Sequence, residues 1–180
     1  MQNTTIKQNT LKLVYTALFA AISIALNSLE ISTPAFKLTF TYIPIFLAGA
    51  FIGPLAGGIA GGIGDLIGFL IHPTGAYLPV FTLASIMIGV ITGVIFTHTT
   101  LKTPMKIILC YTLIFIICTV GINSTAQYYL FFAGGTKYST FKAFLLVRLS
   151  TQLPVVAINT YISYLLYFPI KNSNLLRLKR

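Results

Sequence analysis

Two ionisable side chains sit inside apolar stretches: Asp65 in GGIGDLIGFL and Arg148 in FLLVRLSTQL. A charge at that depth in a membrane is costly, and such groups nearly always face a bundle interior or a wet cavity. Amides recur around them at helical spacing. Thr119, Asn123 and Gln127 follow one another at four-residue intervals, and Arg148, Gln152, Val155 and Asn159 share a stripe with Ser163 beside it,. An amide offers both donors and acceptors, and a guanidinium offers a planar fork suited to a carboxylate or another planar acceptor. These groups describe a cavity with hydrogen-bonding walls, made for recognition. Each residue also has a plainer reading: Asp65 can bond a neighbouring helix, and Arg148 can snorkel toward the outer surface.

Bond-breaking chemistry has no constellation here. The sequence contains no HExxH, no GxSxG and no nucleotide-binding Walker motif, and His72 and His98 stand alone at loop edges without ligand spacing,. No enzyme activity, metal or cofactor is expected. Aromatic residues gather near the ends of the apolar stretches, among them Phe36, Phe40, Tyr42, Tyr77, Phe81, Tyr128 and Tyr129. They suit an interfacial belt, and equally the walls of a pocket for a planar heterocycle of vitamin size.

The elements that must carry these groups are membrane helices. Of the 180 residues 56% are hydrophobic and 8% charged, against about 25% charged in soluble domains. The expected fold is all-α, a single integral membrane domain over residues 1–180 with six spans at about 11–29, 38–52, 54–71, 80–96, 107–132 and 143–170,. Pro44 interrupts the second, and Pro154 kinks the sixth. The net charge of +10 does not point to nucleic acid, because the basic residues flank apolar segments. Lys7, Lys12, Lys102, Lys106, Lys171, Arg177, Lys179 and Arg180 fall on one side of an even-numbered bundle, and Lys37, Lys137 and Lys142 on the other. Both termini are therefore expected in the cytoplasm. The outward lysines would favour an approaching anion or serve as solvated loop charges. Cys110 and Cys118, about 12 Å apart on a helix, cannot bridge and read as packing residues.

The third span organises the rest. Gly57, Gly61, Gly64 and Gly68 form one stripe, flanked by Gly58 and Gly62, while Ile59, Ile63, Leu66, Ile67 and Leu70 form the opposite wall,. Glycine costs about 1 kcal/mol against alanine in a solvated helix, but in a bilayer small residues let helix backbones meet. The first span likewise has a polar line, Thr16, Ser23 and Asn27, and an alanine line, Ala17, Ala21 and Ala25. The polar line supplies an inward face and leaves the alanines to meet a partner from outside.

The stretches KLVYTALFAAISIAL and FTYIPIFLAGAFIGPLAGGIAGGIGDLIGFLIHPTGAYLPVFT, with the Asn123 and Arg148 neighbourhoods, resemble the substrate-binding S components of energy-coupling factor (ECF) vitamin transporters, and within them the folate group. The resemblance covers nearly the whole chain. It implies high-affinity capture of folate or a pterin from outside, with a loop at about Glu30 to Thr39 closing the pocket. It further implies association with a shared transmembrane coupling subunit and two ATPases, and toppling in the membrane to release the vitamin. On this resemblance the binding residues are Lys37, Phe40, Asp65, Tyr77, Phe81, Asn123, Gln127, Tyr128, Arg148 and Gln152, and the alanine line is the docking surface. Asp65 and Arg148 match polar positions assigned to pterin and glutamate recognition. NSTAQYYLFFAGG departs from the family pattern after the fifth span's asparagine. Within the family the alternatives are pantothenate or a queuosine precursor; outside it, a passive channel or structural membrane subunit.

Overall fold

The computed structural model describes residues 2–32, 37–73, 77–132 and 140–173. Phe36, Lys137, Arg177, Lys179 and Arg180 lie outside them, as does the side chain of Lys37. The elements run α1 (Gln2–Asn27), β1 (Ile31–Ser32), β2 (Lys37–Leu38), α2 (Tyr42–Phe51), α3 (Pro54–Ile71), α4 (Pro79–His98), α5 (Thr103–Ile114), a π-helical segment (Phe115–Ser124), α6 (Thr125–Phe131) and α7 (Phe141–Asn172). The two strands form a minimal antiparallel pair, Ile31 against Leu38 and Ser32 against Lys37. The protein is a helical membrane bundle: α1, α3, α4, the continuous run Thr103–Leu130 and α7 are each long and apolar enough to cross a bilayer.

The helix inside the second apolar stretch is shorter than the stretch itself. With 10 residues, α2 reaches about 15 Å, half of a hydrocarbon core of about 30 Å. Residues ahead of it are held otherwise: Lys37 and Leu38 pair in the strand, and the Thr39 and Thr41 hydroxyls bond each other at 2.7 Å. Pro44 does not interrupt α2. It falls in the first helical turn, where a missing N–H is harmless. Every residue from Ile43 to Ala50 is buried, so α2 is the apolar centre around which the longer helices stand. It ends at Phe51, and after Ile52 the chain turns at Gly53, whose φ of 130° needs glycine, so that Pro54 opens α3 at once.

The glycine stripe of α3 is divided between two neighbours. A Cβ at Gly57 would come within 2.6 Å of the Gly89 carbonyl oxygen, and one at Gly61 would strike the Ser85 carbonyl. The α3 and α4 backbones therefore touch. Further along, a Cβ at Gly64 would sit 2.6 Å from Ser23 Oγ and one at Gly68 2.6 Å from Asn27 Nδ2. The polar line of α1 thus packs into the other half of the stripe. The bulky wall of α3, Ile59, Ile63, Leu66, Ile67 and Leu70, is exposed and faces lipid. Gly61→Leu is expected to lower the melting midpoint of the purified protein, since overpacking costs about 1–3 kcal/mol. An unchanged midpoint would show that α3 and α4 do not meet there.

On the basic side, Lys106 Nζ donates to the carbonyls of Phe96 (3.3 Å) and Thr99 (2.6 Å). It thereby closes the C-terminal end of α4, where unpaired carbonyls favour a cation. Cys110 and Cys118 are free and buried. Pro154 and Pro169 are accommodated inside the uninterrupted α7.

Candidate functional site

Asp65 lies on α3 against the first turns of α4. Its Oδ2 accepts from Thr82 Oγ1 at 2.7 Å and its Oδ1 from Ser85 Oγ at 3.1 Å. Thr82 Oγ1 also stands 2.9 Å from the Tyr77 hydroxyl. Because the threonine's single proton goes to the carboxylate, the tyrosine donates to the threonine. The carboxylate therefore does bond the neighbouring helix. Two such bonds still leave it acceptor capacity, since an ionised carboxylate offers about four lone-pair sites. Tyr77 also packs on Phe69, ring centroids 5.2 Å apart. Phe81 is half-buried in the same turn of α4. Thr82 and Ser85 were not singled out from the sequence. Their signal is two hydroxyls three residues apart in the otherwise apolar first half of α4, and only the rotation of α4 reveals that both face Asp65.

A second group is built by the π segment, α6 and α7. Arg148 is 5% exposed, its guanidinium 5.8 Å from the centroid of the Phe144 ring, and its Nε has no hydrogen-bond partner among the described residues. On the π segment and α6, Thr119 Oγ1, Asn123 Oδ1 and Gln127 Oε1 are buried and without a partner among the described residues. Gln152 is buried on the Arg148 face of α7. Tyr128, half-buried, stacks its edge toward Phe141 (5.3 Å) and tilts against Phe144 (5.7 Å). Aromatic contacts between α6 and the first turn of α7 therefore hold the two helices together.

Lower on α7, Asn159 is 1% exposed. Its Nδ2 donates to the Thr39 carbonyl at 3.0 Å, while its Oδ1 has no partner among the described residues. This bond pins the end of the loop preceding α2 to α7. Ser163, one turn on, bonds the Tyr111 hydroxyl at 2.6 Å, which ties α7 to α5. Phe40 is half-buried and packs on the core.

Asp65 and Arg148 thus head separate clusters, one on hydroxyls of α4 and one on the Phe144 ring of α7. Of the residues expected at a site, Asp65 and Tyr77 are joined through Thr82, next to Phe81 in the chain, and Tyr128 and Arg148 both lie against the Phe144 ring, while Asn123 and Gln127 sit on the π segment and α6 and Gln152 on α7. Lys37 contributes backbone to β2. Ala17, Ala21 and Ala25 are exposed on α1, whereas Thr16 and Ser23 are buried.

Comparison with known proteins adds three findings. Residues 11–167 match the family model "ECF transporter, substrate-specific component". A folate transporter FolT of Clostridium novyi (strain NT) is 29% identical over 113 residues, which cover 62% of this chain and 65% of that protein, just under two thirds of its length. A crystal structure of FolT bound with folic acid superposes with a TM-score of 0.69 over 84% of this chain and 88% of that one, at 22% identity, a likeness of fold.

Proposed function

Since the chain belongs to the family of ECF transporter substrate-specific components, we propose that it captures folate or a closely related pterin at the outer face of the cell membrane and delivers it with an ATP-driven ECF module. The observation that carries this reading is the set of unpartnered buried polar atoms on adjoining helices: Asn123 Oδ1, Gln127 Oε1 and Arg148 Nε. Each such group left without a partner costs about 1–3 kcal/mol. A ligand with several donors and acceptors relieves that cost at several atoms at once.

In this reading the ligand's two ends meet different chemistry. The Asp65 carboxylate, already holding two hydroxyls, takes the adjacent N–H groups of an amino-substituted heterocycle. Arg148 takes a carboxylate at the other end, which its fork fits in bidentate fashion. Tyr128, Phe81, Phe40 and Tyr77 supply apolar walls, and Lys37 draws the anion toward the mouth. The loop from Glu30 to Thr39, whose residues 33–36 lie outside the described residues, closes the pocket from its Thr39 end, which is anchored on Asn159. The exposed alanines of α1 receive the coupling subunit, and two ATPases complete the assembly. Both termini lie in the cytoplasm.

Protein purified from membranes grown with mixed vitamins is expected to carry a pterin identifiable by mass. Pantothenate or a queuosine precursor in its place would move the protein to another vitamin, and uptake without any ATPase would remove it from this class of carrier. Asp65→Asn is expected to weaken folate affinity about tenfold, the value of one hydrogen bond to a charged group. Calorimetric titration with unchanged affinity would take Asp65 out of the site.

A further inference from the structure

The segment Phe115–Ser124 is π-helical over 10 residues, a length well beyond the single-turn bulges in which this conformation usually occurs. Its effect can be read from burial on either side. Tyr111 is 2% exposed and marks the inward direction of α5. An α-helix continued from it at about 100° per residue would set Ser124 and Gln127 roughly 220° and 160° away from that direction, and return Tyr129 to it. The structure has the reverse. Ser124 is 1% exposed and Tyr129 is 65% exposed, while Gln127 Oε1 is buried without a partner. A π turn spreads over about 4.4 residues, so ten residues lag an α-helix by about half a turn, which accounts for the exchange. The i→i+5 register also stacks Ser124 on Thr119, and Ser124 Oγ donates to the Thr119 carbonyl at 2.6 Å.

We propose that this π segment is the register device of the binding site and that Ser124 is its positioning residue. The segment turns the outer third of the fifth span so that Gln127 and Tyr128 join Asn123 on the Arg148 side while Tyr129 is sent to the lipid. The inference rests on the reading of that side as the ligand site. Its geometric part stands on burial and hydrogen bonding alone.

The test uses the full-length protein in nanodiscs with the buried Cys110 and Cys118 replaced by alanine, and single cysteines introduced as Gln127→Cys or Tyr129→Cys. Gln127→Cys is expected to react with a water-soluble maleimide and to be protected at least tenfold by folate. Tyr129→Cys is expected to react with a membrane-permeant maleimide and to show no protection. Adding Ser124→Ala should weaken folate binding about tenfold and erase the reagent preference at both positions, and Ser124→Thr, which keeps the hydroxyl, should restore both. If the protein binds no folate, the reagent preference still reads the register, so the two ideas fail separately. Equal or reversed preference at the two cysteines overturns the register. Affinity and labelling unchanged by Ser124→Ala overturn the role of Ser124.

Discussion

Arg148→Met is expected to yield a ligand-free protein that melts no lower than the wild type and binds folate about a hundredfold more weakly. The two halves of this result have a common origin. Arg148 is 5% exposed, rests on the Phe144 ring at 5.8 Å, and leaves Nε unbonded. Taking an ion out of water costs several kcal/mol, and an apolar side chain of similar volume avoids that cost. Methionine fills irregular space and makes favourable contacts with rings, so the Phe144 contact is retained in kind. Removing the guanidinium also removes charge-assisted hydrogen bonds worth about 1.5–3 kcal/mol each, and two of them suffice for a hundredfold loss. Arg148→Lys keeps the charge without the planar fork and should fall between. The chain has no tryptophan, so binding is best followed by calorimetry. A lowered melting point with unchanged affinity would make Arg148 a structural residue.

Parts of this arrangement were legible in the residues themselves. The glycine stripe of α3 was, because residue type and period agree: small residues at helical spacing say where backbones can meet. The partner of each glycine was not. Gly57 and Gly61 meet Gly89 and Ser85, whereas Gly64 and Gly68 meet Ser23 and Asn27, a division set by how three helices cross. Asp65 was legible as a costly carboxylate needing polar company, but the hydroxyls of Thr82 and Ser85 come from another helix whose rotation has no local signature. The π segment was hidden for a different reason. Thr119, Asn123 and Gln127 repeat every four residues, which reads as one α-helical stripe, and that spacing carries no sign of the i→i+5 bonding across which Ser124 is buried and Tyr129 exposed. The start of α2 was obscured by composition, since an apolar run from residue 38 does not disclose that Leu38 pairs in a strand.

The alanine face of α1 carries the second large effect: Ala17→Leu together with Ala21→Leu is expected to leave folate affinity within about twofold of wild type and to reduce ATP-driven uptake to background. Ala17, Ala21 and Ala25 are exposed, while the inner face of the same helix is committed, with Ser23 and Asn27 set against the bare backbone of Gly64 and Gly68. Added volume on the outer face therefore has no route to Asp65 or Arg148. Its consequence falls on whatever approaches α1 from the membrane, because small residues at four-residue spacing permit close backbone contact and two leucines hold a partner helix off. Reconstitution with the coupling subunit and ATPases in proteoliposomes measures uptake, and calorimetry on the isolated protein measures binding. Ala157→Leu, at an exposed alanine of α7, controls for added surface volume and should alter neither. Normal uptake by the double variant would move the docking surface elsewhere, and a parallel loss of binding would show that α1 does not separate its two faces.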